Sequence, residues 1–323
     1  QGRLVIDHGD DVIALAADGG RNVGSPGHRR ARKYIAERLT DLGATPYAGD
    51  SFVLPYGPDG SSFANVVATI PGSVPEMPSI LLGAHFDTCG DIPGADDNAA
   101  AVAILLGVAN SMRGQERDRS IVFAFFDAEE LPNFLQPTMG SIRFYEDQRT
   151  GPVHAAIILD LVGHDVPVPG LEDLLFITGA ESDPGLDAAI RQSEPEAGLR
   201  TVPTLNSYVG DLSDQHVFRK NERPYLLLTC GRWEHYHAST DTPDILNMSK
   251  IEAMANYVIT LTELLSDSIL DGPFNGNETL STEIYFLEKN VMPTLRSLGM
   301  SLPLTTRADI DRLVTLLMSR FGL

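Results

Sequence analysis

Cysteine is scarce: Cys89 and Cys230 are the only two in 323 residues. That excludes a disulfide framework and leaves room for one bridge at most. Positive charge is also short, with 24 basic residues against 44 acidic ones and a formal net charge of −20. Such a surface repels phosphate backbones and anionic bilayers, so neither nucleic acid nor a membrane surface is an expected partner. Long apolar runs are missing. The longest, Ala99 to Ala109, has eleven residues, whereas a membrane span needs about 20. The Gly-x-Ser-x-Gly turn of serine hydrolases is absent, and so are the phosphate loop and the dinucleotide-binding glycine pattern. The chain opens on Gln1 without a secretory signal pattern, which reads as a processed or trimmed product.

What is present is an ordinary globular composition, with 43% hydrophobic and 21% charged residues. Leu4 to Ala17 has the pattern of an amphipathic helix that stops at Gly19-Gly20. A second helix over His28–Leu42 follows the Ser25-Pro26-Gly27 turn and ends at Gly43. Phe52–Leu54 and Phe63–Ile70 read as an antiparallel hairpin at one sheet edge, turned by Pro55, Gly57, Pro58 and Gly60. Ile80–Ala84, Ile121–Phe126, Ala155–Leu161, Leu174–Thr178 and Tyr225–Thr229 are short apolar runs, the mark of strands buried on both faces. Between and after them, Asn98–Ser111, Ser141–Asp147, Leu186–Gln192 and Ile251–Leu265 read as helices. Beyond Gly272-Pro273 the alternation ends, and Thr279–Asn290, Met292–Leu298 and Ala308–Phe321 all look helical. The expectation is an α/β fold: a mixed, mostly parallel central sheet with helices on both faces over residues 1–270, and a helical C-terminal extension over residues 271–323 packed on it.

Four of the buried strands run into metal-type side chains. Ile80–Ala84 meets His85-Phe86-Asp87, Ile121–Phe126 meets Asp127-Ala128-Glu129-Glu130, and Ala155–Leu159 meets Asp160. Tyr225–Thr229 leads to His235-Tyr236-His237 and Asp241, and Asp96-Asp97-Asn98 precedes the Ala-rich helix. Parallel strands put their carboxyl ends at one edge, where sites form, so these groups should converge. Singly each has an ordinary explanation, as a helix cap, a solvated turn or a hydrogen-bonded structural histidine. Jointly those explanations fail. Imidazole and carboxylate without thiolate suit catalytic zinc, and so many ligands suit two ions with one carboxylate between them.

Gly83-Ala84-His85-Phe86-Asp87-Thr88, Gly94-Ala95-Asp96-Asp97-Asn98-Ala99, Ala128-Glu129-Glu130, Asp160 and Tyr236-His237 with Asp241-Thr242 resemble, in order and spacing, the motifs of the M28 family of zinc aminopeptidases. The resemblance spans roughly Arg21 to Leu265 and leaves the C-terminal segment unaccounted for. It implies a zinc-exopeptidase-like fold and two zinc ions held by His85, Asp97, Glu130, Asp160 and His237, with the division between the ions left open. It implies Asp87 behind His85, Glu129 as general base, and a Tyr236 phenol that donates to the developing oxyanion. By the family spacing His237, not its neighbour His235, is the ligand. Peptides with a free N-terminus are the implied substrates, and a secreted or periplasmic location is favoured over a cytoplasmic one. Nothing in the sequence fixes the oligomeric state.

The pattern also departs from the family. In Ser213-Asp214-Gln215-His216, Gln215 stands where the family usually has histidine. The loop Leu131-Pro132-Asn133-Phe134-Leu135 is not the commonest form and should border the pocket. Cys89 and Cys230 are both expected near the metal edge, where a disulfide between them is one possibility and free thiols the other. The alternative activity on this scaffold is that of the single-zinc glutaminyl cyclases, which resemble the chain at Asp97, Glu130 and His237. They typically carry Trp before the last histidine, where this chain has Tyr236.

Overall fold

The structure is a computed structural model that describes residues 7–17, 19–58, 62–274 and 276–321. The expected helix start at Leu4 and the turn residue Gly60 lie outside the described residues. The strands are β1 (Thr45–Pro46), β2 (Val53–Pro55), β3 (Ala64–Ile70), β4 (Ser79–His85), β5 (Ile121–Phe126), β6 (Val153–Leu159), β7 (Leu174–Thr178), β8 (Arg200–Thr204) and β9 (Tyr225–Thr229). They form one mixed sheet in the order β1-β3-β5-β4-β6-β9-β7-β8, with β2 also on β3. The central strands β5, β4, β6 and β9 are mutually parallel. β3 and β7 run antiparallel to that block, and the edge strand β8 is parallel to β7. The expected edge hairpin is present, with Val53 opposite Val66.

The helices are α1 (His8–Ala16), α2 (Pro26–Asp41), α3 (Ala100–Met112), α4 (Gly140–Arg143), α5 (Pro184–Gln192), α6 (Asn206–Val209), α7 (Gln215–Lys220), α8 (Met248–Ser266), α9 (Leu280–Asn290), α10 (Met292–Ser297) and α11 (Arg307–Phe321). Alternation along the central strands feeds both faces of the sheet. Ile80, Leu82, Phe123, Phe125 and Ile157 pack in one apolar core with residues of α1, α2, α3 and α8. Leu81, Val122, Phe126 and Ile158 pack on the other face with Phe144, Val217 and Phe218. Period-2 strands that are apolar on both faces can be satisfied only between two helical layers.

The C-terminal helices cover the β7–β8 end. Leu287, Met292, Leu295, Ile310, Leu313 and Leu317 share a third apolar cluster with Val166, Leu174 and Val202. Asn290 ties the two together, as its side-chain amide donates to the Thr201 carbonyl (2.8 Å) and its own carbonyl accepts from Arg200 (2.9 Å). No helix among the described residues is long and apolar enough to cross a membrane.

Candidate metal centre

The four parallel strands that end in metal-type side chains are neighbours in the sheet, so their carboxyl ends lie side by side. His85 is the last residue of β4, Glu129 and Glu130 follow β5, Asp160 follows β6, and His237 sits in the loop after β9. Asp97 belongs to one wide helical turn, Ala95–Ala99, that leads into α3, and its own φ of −109° and ψ of 81° are not helical. The Asp97–Asn98 peptide bond is cis. Asn98 donates to the Leu159 carbonyl at 2.9 Å, which fixes that turn against the end of β6.

Asp97 stands between two histidines. Its Oδ1 lies 3.2 Å from His85 Nε2 and its Oδ2 lies 3.2 Å from His237 Nε2. On the His85 side, Asp160 Oδ1 is 3.6 Å and Glu129 Oε2 is 3.8 Å from the same Nε2. On the other side, Glu130 Oε1 is 3.1 Å from His237 Nε2. His85 itself is buried, and neither of its ring nitrogens has a hydrogen-bond partner. An imidazole without partners, ringed by carboxylate oxygens, is the environment a cation satisfies. Within 4.8 Å of one another lie ligand atoms of His85, Asp97 and Asp160, and also those of Cys89, Glu130 and His237. The nitrogen and oxygen donors fit zinc.

The electrostatics follow from packing several carboxylates into a buried edge. Burial, reinforced by Asp97, raises Glu130 to about 7. Glu129 is pushed well above its usual range, chiefly by burial, which His85 only partly offsets. Asp160 is raised by burial as well. Burial also raises Asp97, but the imidazoles of His237 and His85 beside it outweigh that and hold it well below the usual carboxylate range. Conversely, burial lowers His237, while Asp97 and Glu130 lift it to about 10.

A shell of backbone contacts holds these side chains. The Asp87 carboxylate accepts from the amides of Glu129 and Glu130, both at 3.0 Å, and its Oδ1 lies 3.4 Å from His85 Nδ1. Asp241 accepts from the amides of Asp96 (2.8 Å) and Asp97 (3.1 Å). Asp96 points away from the site, accepting from Gly163 N and pairing with His164, both at 2.7 Å. Three positions here adopt the left-handed backbone region: Ala128 before Glu129, Leu161 after Asp160, and His237 itself, with φ of 55°, 54° and 53°. For non-glycine residues that costs about 1–3 kcal/mol each and is concentrated at sites.

Some motif residues are not brought in. His235 faces Thr240, its Nδ1 2.8 Å from the Thr240 Oγ1, and packs edge-on against Trp233. His216 pairs with Asp211 at 3.0 Å, and Gln215 donates to the Gly210 carbonyl at 3.0 Å. The two cysteines form no disulfide. Cys89 stands near Glu130 and His237, whereas Cys230 is buried in the apolar cluster under the C-terminal helices. Tyr236 stacks on His237, with ring centroids 3.8 Å apart, and burial raises its phenol.

Two residues go beyond the sequence reading. Arg21, fully buried, donates to the carbonyls of Phe86 (2.7 Å), Pro93 (2.6 Å), Gly94 (2.8 Å) and Leu15 (3.0 Å). It thereby clamps the segment between His85 and Asp97. Asp214 is buried with both oxygens unpartnered, and burial raises it to about 7. A cavity of 380 Å³ opens beside Asp97, Glu129, Glu130, Asp160 and His237, and Leu131 and Phe134 of the expected bordering loop line it.

A family model described as peptidase family M28 matches residues 65–262, more than half of the chain. The chain is 27% identical over 265 residues to YfbL, an uncharacterized protein of Escherichia coli K12, covering 72% of this chain and 79% of that one. Other curated relatives are much longer, and the chain covers only 7% to 23% of their length. Among solved structures, LapB from Legionella pneumophila superposes with a TM-score of 0.67 at 21% identity, covering 82% of this chain and 73% of LapB. The glutaminyl cyclase of Tannerella forsythia superposes with a TM-score of 0.62 at 19% identity, covering 81% of this chain and 98% of the cyclase.

Proposed function

Since the chain belongs to peptidase family M28, a family of zinc-dependent metallopeptidases, we propose that it is an aminopeptidase that removes the N-terminal residue of a peptide at a pair of zinc ions. One observation carries this reading: the two oxygens of Asp97 reach His85 and His237 at equal distances of 3.2 Å, as a bridging carboxylate would. In this reading His85 and Asp160 would hold one ion, Glu130 and His237 the other, and Asp97 would serve both. Bound there, zinc supplies Lewis-acid polarisation of the scissile carbonyl and offsets the charge that builds on its oxygen.

The chain's own residues do the rest. Glu129 takes a proton from the attacking water as its oxygen bonds to the carbonyl carbon. It then gives that proton to the departing nitrogen as the C–N bond breaks, so the products are a free amino acid and a shortened peptide. The pKa of Glu129, raised by burial, suits a carboxylate that must hold a proton between the two steps. Asp87 positions Glu129 and Glu130 through their amides. Tyr236, kept protonated by burial and lining the same cavity, donates to the oxyanion. The acidic end of the cavity receives the substrate's free α-amine. The Tyr236-His237 pair, as in bacterial secreted members, supports a secreted or periplasmic setting.

The test is mass spectrometry of a dipeptide and tripeptide pool, some with N-terminal Gln, incubated with zinc-loaded protein and with a chelated control. Chelator-sensitive release of N-terminal residues is expected. Loss of ammonia from Gln peptides alone would replace this reading with that of a glutaminyl cyclase. No change in the pool would overturn both.

A further inference from the structure

The cavity beside the metal-type cluster has a wall that lies outside the residues matching the family. Ile310, Leu313, Val314, Leu317 and Met318 of α11 line it. Their spacing of three and four residues is one face of a helix; Arg307, one turn before Ile310 on that face, pairs with Glu283 and is not among the lining residues. The facing apolar groups include Phe176, Val202 and Leu227 from β7, β8 and β9. Among the described residues and apart from the metal-type cluster, the only charged lining residue is Arg232, whose guanidinium lies over the Tyr236 ring, 4.9 Å from its centroid. Against this apolar wall a charged side chain would lose its hydration, and outside the metal-type cluster the one described counter-charge is Arg232, already placed over the Tyr236 ring.

We infer that α11 is the specificity wall of this enzyme: it builds the subsite for the substrate's N-terminal side chain and selects large apolar ones such as Leu, Met and Phe. The inference rests on the aminopeptidase reading above. At 380 Å³ the cavity has room for a full-sized side chain, and a small one leaves apolar wall uncovered. Each buried methylene is worth about fourfold in selectivity, so Leu over Ala amounts to about 10- to 100-fold in kcat/KM. Within the stripe, Ile310, Leu313 and Leu317 also belong to the third core cluster, and Val314 packs against it. Val314 is half-buried and Met318 is 48% exposed, so changes at these two disturb the core least.

The experiment measures kcat/KM of the zinc-loaded full chain on a series of fluorogenic amides of Ala, Leu, Phe, Glu and Lys. The expected order is Leu and Phe above Ala, with Glu and Lys lowest. Val314→Trp, which fills the subsite, should lower the Phe-to-Ala ratio about tenfold or more. Met318→Glu should raise the Lys-to-Leu ratio by a similar factor. Thr315→Trp, on an exposed position of the same helix, should leave the order unchanged, and thermal melts check that each variant folds. Release without apolar preference would overturn the inference while leaving the aminopeptidase reading in place. So would a preference that Val314→Trp and Met318→Glu leave as it was, or one they lower equally for every substrate. Release from none of the series would overturn the aminopeptidase reading and this inference with it.

Discussion

Glu129 and Glu130 are adjacent in sequence yet have separate surroundings. Glu130 reaches His237 at 3.1 Å, while the nearest histidine nitrogen to Glu129 is that of His85 at 3.8 Å. Their amides share one acceptor, Asp87, so the turn that divides them is fixed from behind. Glu129→Gln keeps the shape and the amide contact and removes only the proton acceptor. It is expected to lower kcat by about 10³-fold with zinc content unchanged by atomic absorption; near-normal turnover would remove Glu129 from the base role. His237→Ala is expected to lower the zinc content and His235→Ala to leave it, because only the former faces Asp97 and Glu130. The reverse result would move the ligand to His235. At this scale the sequence made His85, Asp97, Glu130, Asp160 and His237 legible, because each sits at a strand end or in a family motif. Arg21 was not legible. Its partners are main-chain carbonyls of residues 15 and 86–94, and only the folded loop gathers them.

Among the elements, the loop from His85 to Asp97 is held by Arg21 through its carbonyls, and by Phe86 and Ala95, which pack into the first apolar core. The buried guanidinium remains cationic, since burial lowers it only to about 10. Arg21→Met removes the donors and leaves four buried carbonyls to find water. The expected cost is about 3–5 kcal/mol, which for a chain of this size is a fall in Tm of roughly 4–8 °C. A fall of less than a degree would show that the loop is held by other contacts. A second tie joins the start of β6 to the end of α8, where the ring of His154 lies 3.2 Å from the Leu265 carbonyl and 3.1 Å from that of Ser268. Burial, helped by Arg119, holds His154 below its ordinary value. The unfolded chain then binds the proton more readily than the folded one. The stability this contributes is present above about pH 6.5 and is lost as the pH falls through the lower folded value. His154→Gln is expected to flatten the acid side of a Tm-against-pH curve in that window; an unchanged slope would assign the loss to other groups. The central strands β4, β5, β6 and β9 were readable as unbroken apolar runs because both their faces are covered. β8, Arg-Thr-Val-Pro-Thr, has no such signature. An edge strand with Pro203 inside it carries no such run, and its place was set by pairing with β7 and by the C-terminal helices.

At the scale of the whole molecule, the question is whether the C-terminal helices are an appendage or part of one folding unit. The sequence divides the chain near residue 270, where the alternation of strands and helices stops. The third apolar cluster runs across that division: Leu174 and Val202 on one side, Leu287, Met292, Leu313 and Leu317 on the other. Removing the helices would uncover buried leucines and also unpair Asn290 from Thr201. Uncovering several fully buried aliphatic side chains costs about 1.5–3 kcal/mol apiece, comparable to the entire stability of a domain. The extension is therefore expected to unfold together with the sheet. Trp233, the single tryptophan, reports on the loop beside the site, whereas far-UV circular dichroism weighs α9 to α11 along with every other helix. In urea the two signals should give coincident transitions with one midpoint. A circular dichroism loss that precedes the fluorescence change would mean that the extension melts first and that the division at 270 is a true domain boundary. Zinc sharpens the same test. A metal that binds only the folded state at 100 times its Kd adds about 2.7 kcal/mol, so a chelator should shift both transitions down by the same amount if the site and the extension belong to one unit, and only the fluorescence transition if they do not.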